Sequence, residues 1–112
     1  MTAVDFMTKK CLFTFFKLGG RWPADLSDIF EPHDIELKMN PLGRWYTEDE
    51  LIEELRDIDA VLAGGDPYNA RVIESAPKLK IIARIGVGYD RVDLAAATRR
   101  GVYVTWTPIP EL

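Results

Sequence analysis

The sequence predicts an α/β domain built on a five-stranded parallel sheet, on three observations. Five short apolar runs alternate with helix-like segments, at residues 10–16, 35–39, 60–63, 79–85 and 102–106. The last three runs lean apolar and β-branched, as strands buried on both faces do. The segments between them carry helix start and stop signals.

The elements follow in order. The run 10–16 gives the first strand, and 24–30 the first helix. After the second strand, Thr47-Glu48-Asp49-Glu50 is a capping box: the Thr47 hydroxyl accepts from the Glu50 amide, and Glu50 reaches back. Leu51, Ile52 and Leu55 are then spaced to share one helix face. The third strand ends in Gly64-Gly65, and Asp66-Pro67 opens a helix as N-cap plus a proline at the first helical position. That helix is expected to run to about Ala76 and stop before Pro77. A last helix starts near Asp90 or Asp93 and ends at Gly101, a natural C′ residue. The pair Arg99-Arg100 at its end offsets the helix dipole. The pattern βαβαβαβαβ implies helices on both faces and a flavodoxin-like strand order, 2-1-3-4-5. Prolines at 108 and 110 stop the fifth strand, so the expected division is a domain over 1–106 and a linker over 107–112.

Composition narrows the function. The 112 residues suffice for one core, and the net charge of −4 with scattered Lys and Arg speaks against nucleic acid. A single cysteine, Cys11, can form neither an internal disulfide nor a Cys-rich metal site, and its apolar neighbours make it an inert buried thiol. No apolar stretch approaches the ~20 residues of a membrane span, and the first ten residues lack signal-peptide order. The expected location is therefore the cytoplasm. His33 stands alone in a loop and reads as a surface residue; Trp22, Trp45 and Trp106 read as core or interface residues. The acidic run 48–54 reads as a solvated helix face.

Two glycine loops remain. Gly86-Val87-Gly88 follows the fourth strand, but Arg91 stands where a G-x-G-x-x-G nucleotide fingerprint has its third glycine. The loop also follows the wrong strand, with no acidic partner near the end of the next one. A nucleotide fingerprint is rejected. Paired glycines can instead present backbone N–H groups to a small carboxylate at the carboxyl edge of the sheet, with Arg84 for a charged hydrogen bond. Gly64 and Gly65 follow a neighbouring strand and face the same crevice. Asp66 cuts against ligand binding, because an N-cap carboxylate takes the amides an anion would want.

The stretches DAVLAGGD (59–66), APKLKIIARIGVGYDRVDL (76–94) and AAATRRGVYVT (95–105), leading to Thr107-Pro108, resemble the D-isomer-specific 2-hydroxyacid dehydrogenases, phosphoglycerate dehydrogenase-like branch. The resemblance is specific over residues 57–108. It implies the first part of a flavodoxin-like substrate domain that is split by an inserted Rossmann domain binding NAD or NADP. Substrate-binding residues would be Gly64, Gly65, Arg84, Gly86, Val87 and Gly88, holding a small 2-hydroxy or 2-keto acid. The family's catalytic arginine, glutamate and histidine and its GxGxxG loop match no residue here. The chain is therefore expected to bind no cofactor alone and to be inactive alone. Trp106 and Ile109 depart from the family, which has asparagine before the Thr-Pro and glycine after it. A segment lacking its partner domain is also open to self-association. The alternative is a stand-alone flavodoxin-like binding or interaction module. Its phosphorylatable-receiver version fails for want of paired acidic residues after the first strand and a lysine after the fifth.

Overall fold

The computed structural model describes residues 8–16, 27–85 and 91–107. In chain order the elements are β1 (Lys9–Phe13), α1 (Ser27–Phe30), a 3-10 turn (Glu31–His33), β2 (Ile35–Met39), α2 (Glu48–Glu54) with a 3-10 turn (Leu55–Asp57), β3 (Ala60–Ala63), α3 (Ala70–Glu74), β4 (Ile81–Ile85), α4 (Leu94–Arg100) and β5 (Tyr103–Thr107). The five strands form one sheet, order β2-β1-β3-β4-β5, every pair parallel. This is the flavodoxin-like arrangement expected from the alternation.

Side chains alternate across the sheet. Leu12, Val61, Ala63 and Ile82 point into one core with Leu51, Leu55, Val72, Ile73, Ala96 and Ala97 from the helices. Helices α2, α3 and α4 pack side by side over this face. Cys11 and Phe13 are buried but lie outside that cluster, as period-two alternation requires. The order reverses at β1, so right-handed crossovers send the β1–β2 connection to the opposite face. Helix α1 lies against β2. Full burial of Leu12, Leu51, Leu55, Ile73 and Ile82 contributes about 1.5–3 kcal/mol each.

Thr47 caps α2 as read: its hydroxyl accepts from Glu50 N at 3.3 Å, and Thr47 N donates to Glu50 Oε1 at 2.9 Å. Asp93 caps α4 through Ala96 N at 3.0 Å, and Gly101 ends it at φ +70°. The acidic run lies at the surface, with Glu50 paired to Arg44 at 2.8 Å and Glu48 to Arg71 at 2.8 Å. His33 is exposed.

Several boundaries differ: β1 begins one residue early at Lys9, β5 runs one residue later at Tyr103–Thr107, α3 ends at Glu74, and three differences have a packing cause. β1 ends at Phe13 and β4 starts at Ile81, because Phe15, Phe16 and Leu79 leave the ladder to pack elsewhere. The helix read from Asp66 starts later: Asn69 is the N-cap of α3, accepting from Val72 N at 3.0 Å. Asp66 is not a helix cap, since its carboxylate is captured by a distant loop. Residues 24–26 of the expected first helix, the glycine loop 86–88 and the tail 108–112 lie outside the described residues.

The amino ends of the strands are tied through Asp59, by its side chain and its carbonyl. Asp59 Oδ2 accepts from Lys10 N at 2.9 Å, and Asp59 O accepts from Lys80 N at 2.8 Å. Outside them, Asp57 receives Lys10 Nζ at 2.6 Å and Lys78 Nζ at 2.5 Å. The two lysine hydrogen bonds, Lys10 first, hold the Asp57 carboxyl down at about 2.

Candidate functional site

In an open parallel sheet the place for a ligand is the carboxyl edge, where strand order reverses. Here that switch point lies between β1 and β3. Just past it stand the buried polar side chains of the described residues, Thr14, Asn40 and Asp66.

Thr14 follows β1. Its N–H donates to Leu62 O at 3.1 Å, and its hydroxyl accepts from Gly64 N at 2.9 Å. Asn40 follows β2; its Nδ2 donates to Thr14 O at 2.7 Å and to Arg44 O at 2.8 Å, while Oδ1 accepts from Leu42 N at 2.8 Å. Asp66 follows β3. Its Oδ2 accepts from Tyr46 N at 2.7 Å and its Oδ1 from the Tyr68 hydroxyl at 3.2 Å. Burial, reinforced by the Asp66 charge, pushes the Tyr68 phenol well above its ordinary value of 10. Tyr68 N donates to Arg91 O at 2.7 Å, and Asp93 N donates to Tyr68 O at 2.8 Å. That two-way pairing fastens the segment after β3 to the start of α4.

The predicted site residues distribute as follows. Gly64 and Gly65 lie at the edge, and both press against the Trp45 indole. A Cβ on Gly64 would overlap the benzo ring; one on Gly65 would meet Nε1 at 3.0 Å and Cε2 at 3.1 Å. The Gly64 amide is taken by Thr14, so this glycine lends shape rather than a donor. Arg84 stands on β4 in register with Ala63 on one side and Trp106 on the other. It is half-buried; Nη1 donates to Ile85 O, and its buried Nε has no hydrogen-bond partner. Gly86, Val87 and Gly88 lie outside the described residues. β3 and β4 are parallel neighbours, so both strands deliver their following loops to one edge.

Sequence reasoning did not assign Thr14, Asn40 or Trp45 to this edge. A polar residue directly after a strand was the available signal for Asn40; Thr14 lay inside the predicted first strand and carried no such signal. Trp45 meets the glycines only through the fold. Chemically the edge offers a guanidinium and an aromatic wall, with the Asp66 carboxylate spent on protein donors. A hollow of about 310 Å³ lies instead at the amino end of β2, lined in part by Glu31, Asp34 and Glu36, which suits no anion. Among the described residues no three His, Cys, Asp or Glu side chains gather to hold a metal, and no helix is long and apolar enough to cross a membrane.

Residues 21–109 match the family described as D-isomer specific 2-hydroxyacid dehydrogenase, catalytic domain. A glyoxylate reductase of Thermococcus gammatolerans is 39% identical over 87 residues, covering 77% of this chain and 26% of the relative. A glyoxylate reductase of Thermococcus litoralis is 49% identical over 77 residues, covering 68% of this chain and 23% of the relative. This chain therefore spans about a quarter of those relatives' length. An NAD+-bound 3-phosphoglycerate dehydrogenase structure from Entamoeba histolytica superposes with a TM-score of 0.74 at 25% identity, over 90% of this chain and 33% of that one. The sheet order, the glycine-ended third strand and the span of that match converge: the chain belongs to the D-isomer-specific 2-hydroxyacid dehydrogenase family, within its catalytic domain.

Proposed function

We propose that this chain is the N-terminal substrate-domain segment of an NAD(P)-dependent 2-hydroxyacid dehydrogenase that acts on a small 2-keto or 2-hydroxy acid. One observation carries the reading. β3 and β4 lie side by side and parallel, with Ala63 opposite Arg84, so both strands end at the ligand-binding edge; in sequence Gly64-Gly65 follows the one and Gly86-Val87-Gly88 the other. Arg84 supplies the positive charge for the carboxylate, and the glycines of the second loop supply backbone donors. Residues 107–112 would lead toward a hinge, and a Rossmann domain of the same polypeptide would bring the nicotinamide cofactor, which in its reduced form would donate hydride to the keto acid and in its oxidised form accept it from the hydroxy acid. The named relatives act on glyoxylate, which fits a carboxylate site closed on one side by an aromatic wall. A soluble cytoplasmic enzyme fits the composition.

The test is expression of the polypeptide encoded by the gene's whole reading frame, beside the 112-residue chain. Oxidation of NADH and NADPH is followed with glyoxylate. Activity is expected from the whole polypeptide and none from the 112-residue chain. Glyoxylate-dependent oxidation of NADH or NADPH by the short chain alone, or a reading frame with no GxGxxG unit, overturns the reading.

A further inference from the structure

Gly64 and Gly65 need an explanation that their backbone does not provide. Among the described glycines, Gly43 and Gly101 have φ in the left-handed region and Gly64 and Gly65 do not, so no turn geometry demands glycine at 64 or 65. What demands it is the ring of Trp45, which occupies the place of the missing side chains. The indole is fixed in turn. Phe15 and Phe16, just past β1, meet it edge-on with centroids 5.1 and 4.8 Å away. Its backbone is pinned on both sides. Arg44 makes a bidentate pair with Glu50, 2.8 Å on each arm, and its carbonyl accepts from Asn40. Tyr46 N is held by buried Asp66 at 2.7 Å.

This aromatic plate sits across the ends of β1 and β3, the switch point where a ligand binds. We propose that Trp45 is a specificity-determining residue, its half-buried indole limiting the site to short-chain 2-keto acids. The inference rests on the carboxylate-site reading above and adds the wall that measures the acid's tail. A rigid ring excludes a longer tail by overlap, whereas the carboxylate end is read elsewhere, by Arg84 on β4 in the reading above.

The experiment uses the whole encoded polypeptide as wild type, Trp45→Ala and Trp45→Phe. kcat/KM is measured for glyoxylate, pyruvate, 2-oxobutanoate and 2-oxopentanoate. Trp45→Ala is expected to raise the 2-oxopentanoate to glyoxylate ratio about tenfold or more. Trp45→Phe, which keeps an aromatic plate of smaller size, should raise it about threefold; if the alanine variant does not fold, this variant decides. Ratios that stay at the wild-type value overturn the role of Trp45 while leaving the carboxylate site standing. A wild type that reduces none of the four acids overturns both.

Discussion

At the scale of single residues, Asp66 shows how context reassigns a familiar signal. Asp followed by Pro is a good helix start, yet the carboxylate is buried and spent on the Tyr46 amide and the Tyr68 hydroxyl. The true cap, Asn69, stands three positions later. The helix start was read at Asp66 alone; what took its carboxylate was a loop twenty residues upstream that needed an acceptor. Removing that acceptor orphans two donors in a dry setting. Asp66→Ala should therefore lower stability by about 3 kcal/mol, and Asp66→Asn, which retains one acceptor oxygen, by less. Urea denaturation of the chain and its variants measures both, and a loss below about 1 kcal/mol in the alanine variant would mean the network is not structural.

At the scale of elements, the legible features were those fixed by local chemistry. The capping box at Thr47 and the Gly101 helix end appear where sequence placed them, and of Asp90 and Asp93, both open as the last helix start, the fold uses Asp93 as the cap. Thr47→Ala is expected to cost about 1 kcal/mol, and Asn69→Ala a similar amount, through loss of one cap each. Combined, the two losses should add to about 2 kcal/mol in urea midpoints converted at fixed slope, because the caps serve separate helices. A clear departure from additivity would show that α2 and α3, which touch, share more than packing. Strand ends were read less well. The aromatic run Phe13-Thr14-Phe15-Phe16 looks like one strand, but only Phe13 stays in the ladder, and the two later rings turn to Trp45. Hydrophobicity says that a residue seeks cover; it does not say whether the cover is a sheet face or another ring. The same limit hid Trp45 from the site, since its meeting with Gly64 joins residues from separate βα units.

At the scale of the whole molecule, the two edges of the sheet behave differently. The carboxyl edge is held by buried neutral and charged hydrogen bonds, the amino edge by surface ion pairs around Asp57. The Asp57 carboxyl sits at about 2 in the fold against 3.8 ordinarily, because Lys10 and Lys78 favour its charged form. A depressed acid contributes stability that is present above pH 3.8 and lost as pH falls through about 2. The urea midpoint of wild type should thus exceed that of Asp57→Asn at neutral pH, and the gap should close between about pH 4 and pH 2. Salt should shrink the gap too, as the pair is exposed. A gap independent of pH would exclude the two lysines as the cause. The parallel sheet was readable at this scale from alternation, and the expected flavodoxin-like order, one of the few that short right-handed crossovers allow, is the one found.

One buried group links the sheet to time rather than to energy. Cys11 lies in β1 with Leu37 beside it on β2 and Ala60 on β3, and burial pushes its thiol up to about 11. In the closed sheet it offers almost no thiolate and no approach path. Any reagent that marks it must wait for β1 to part from a neighbour. The sulfur is therefore a built-in stopwatch: the moment at which it is labelled records an opening of the sheet.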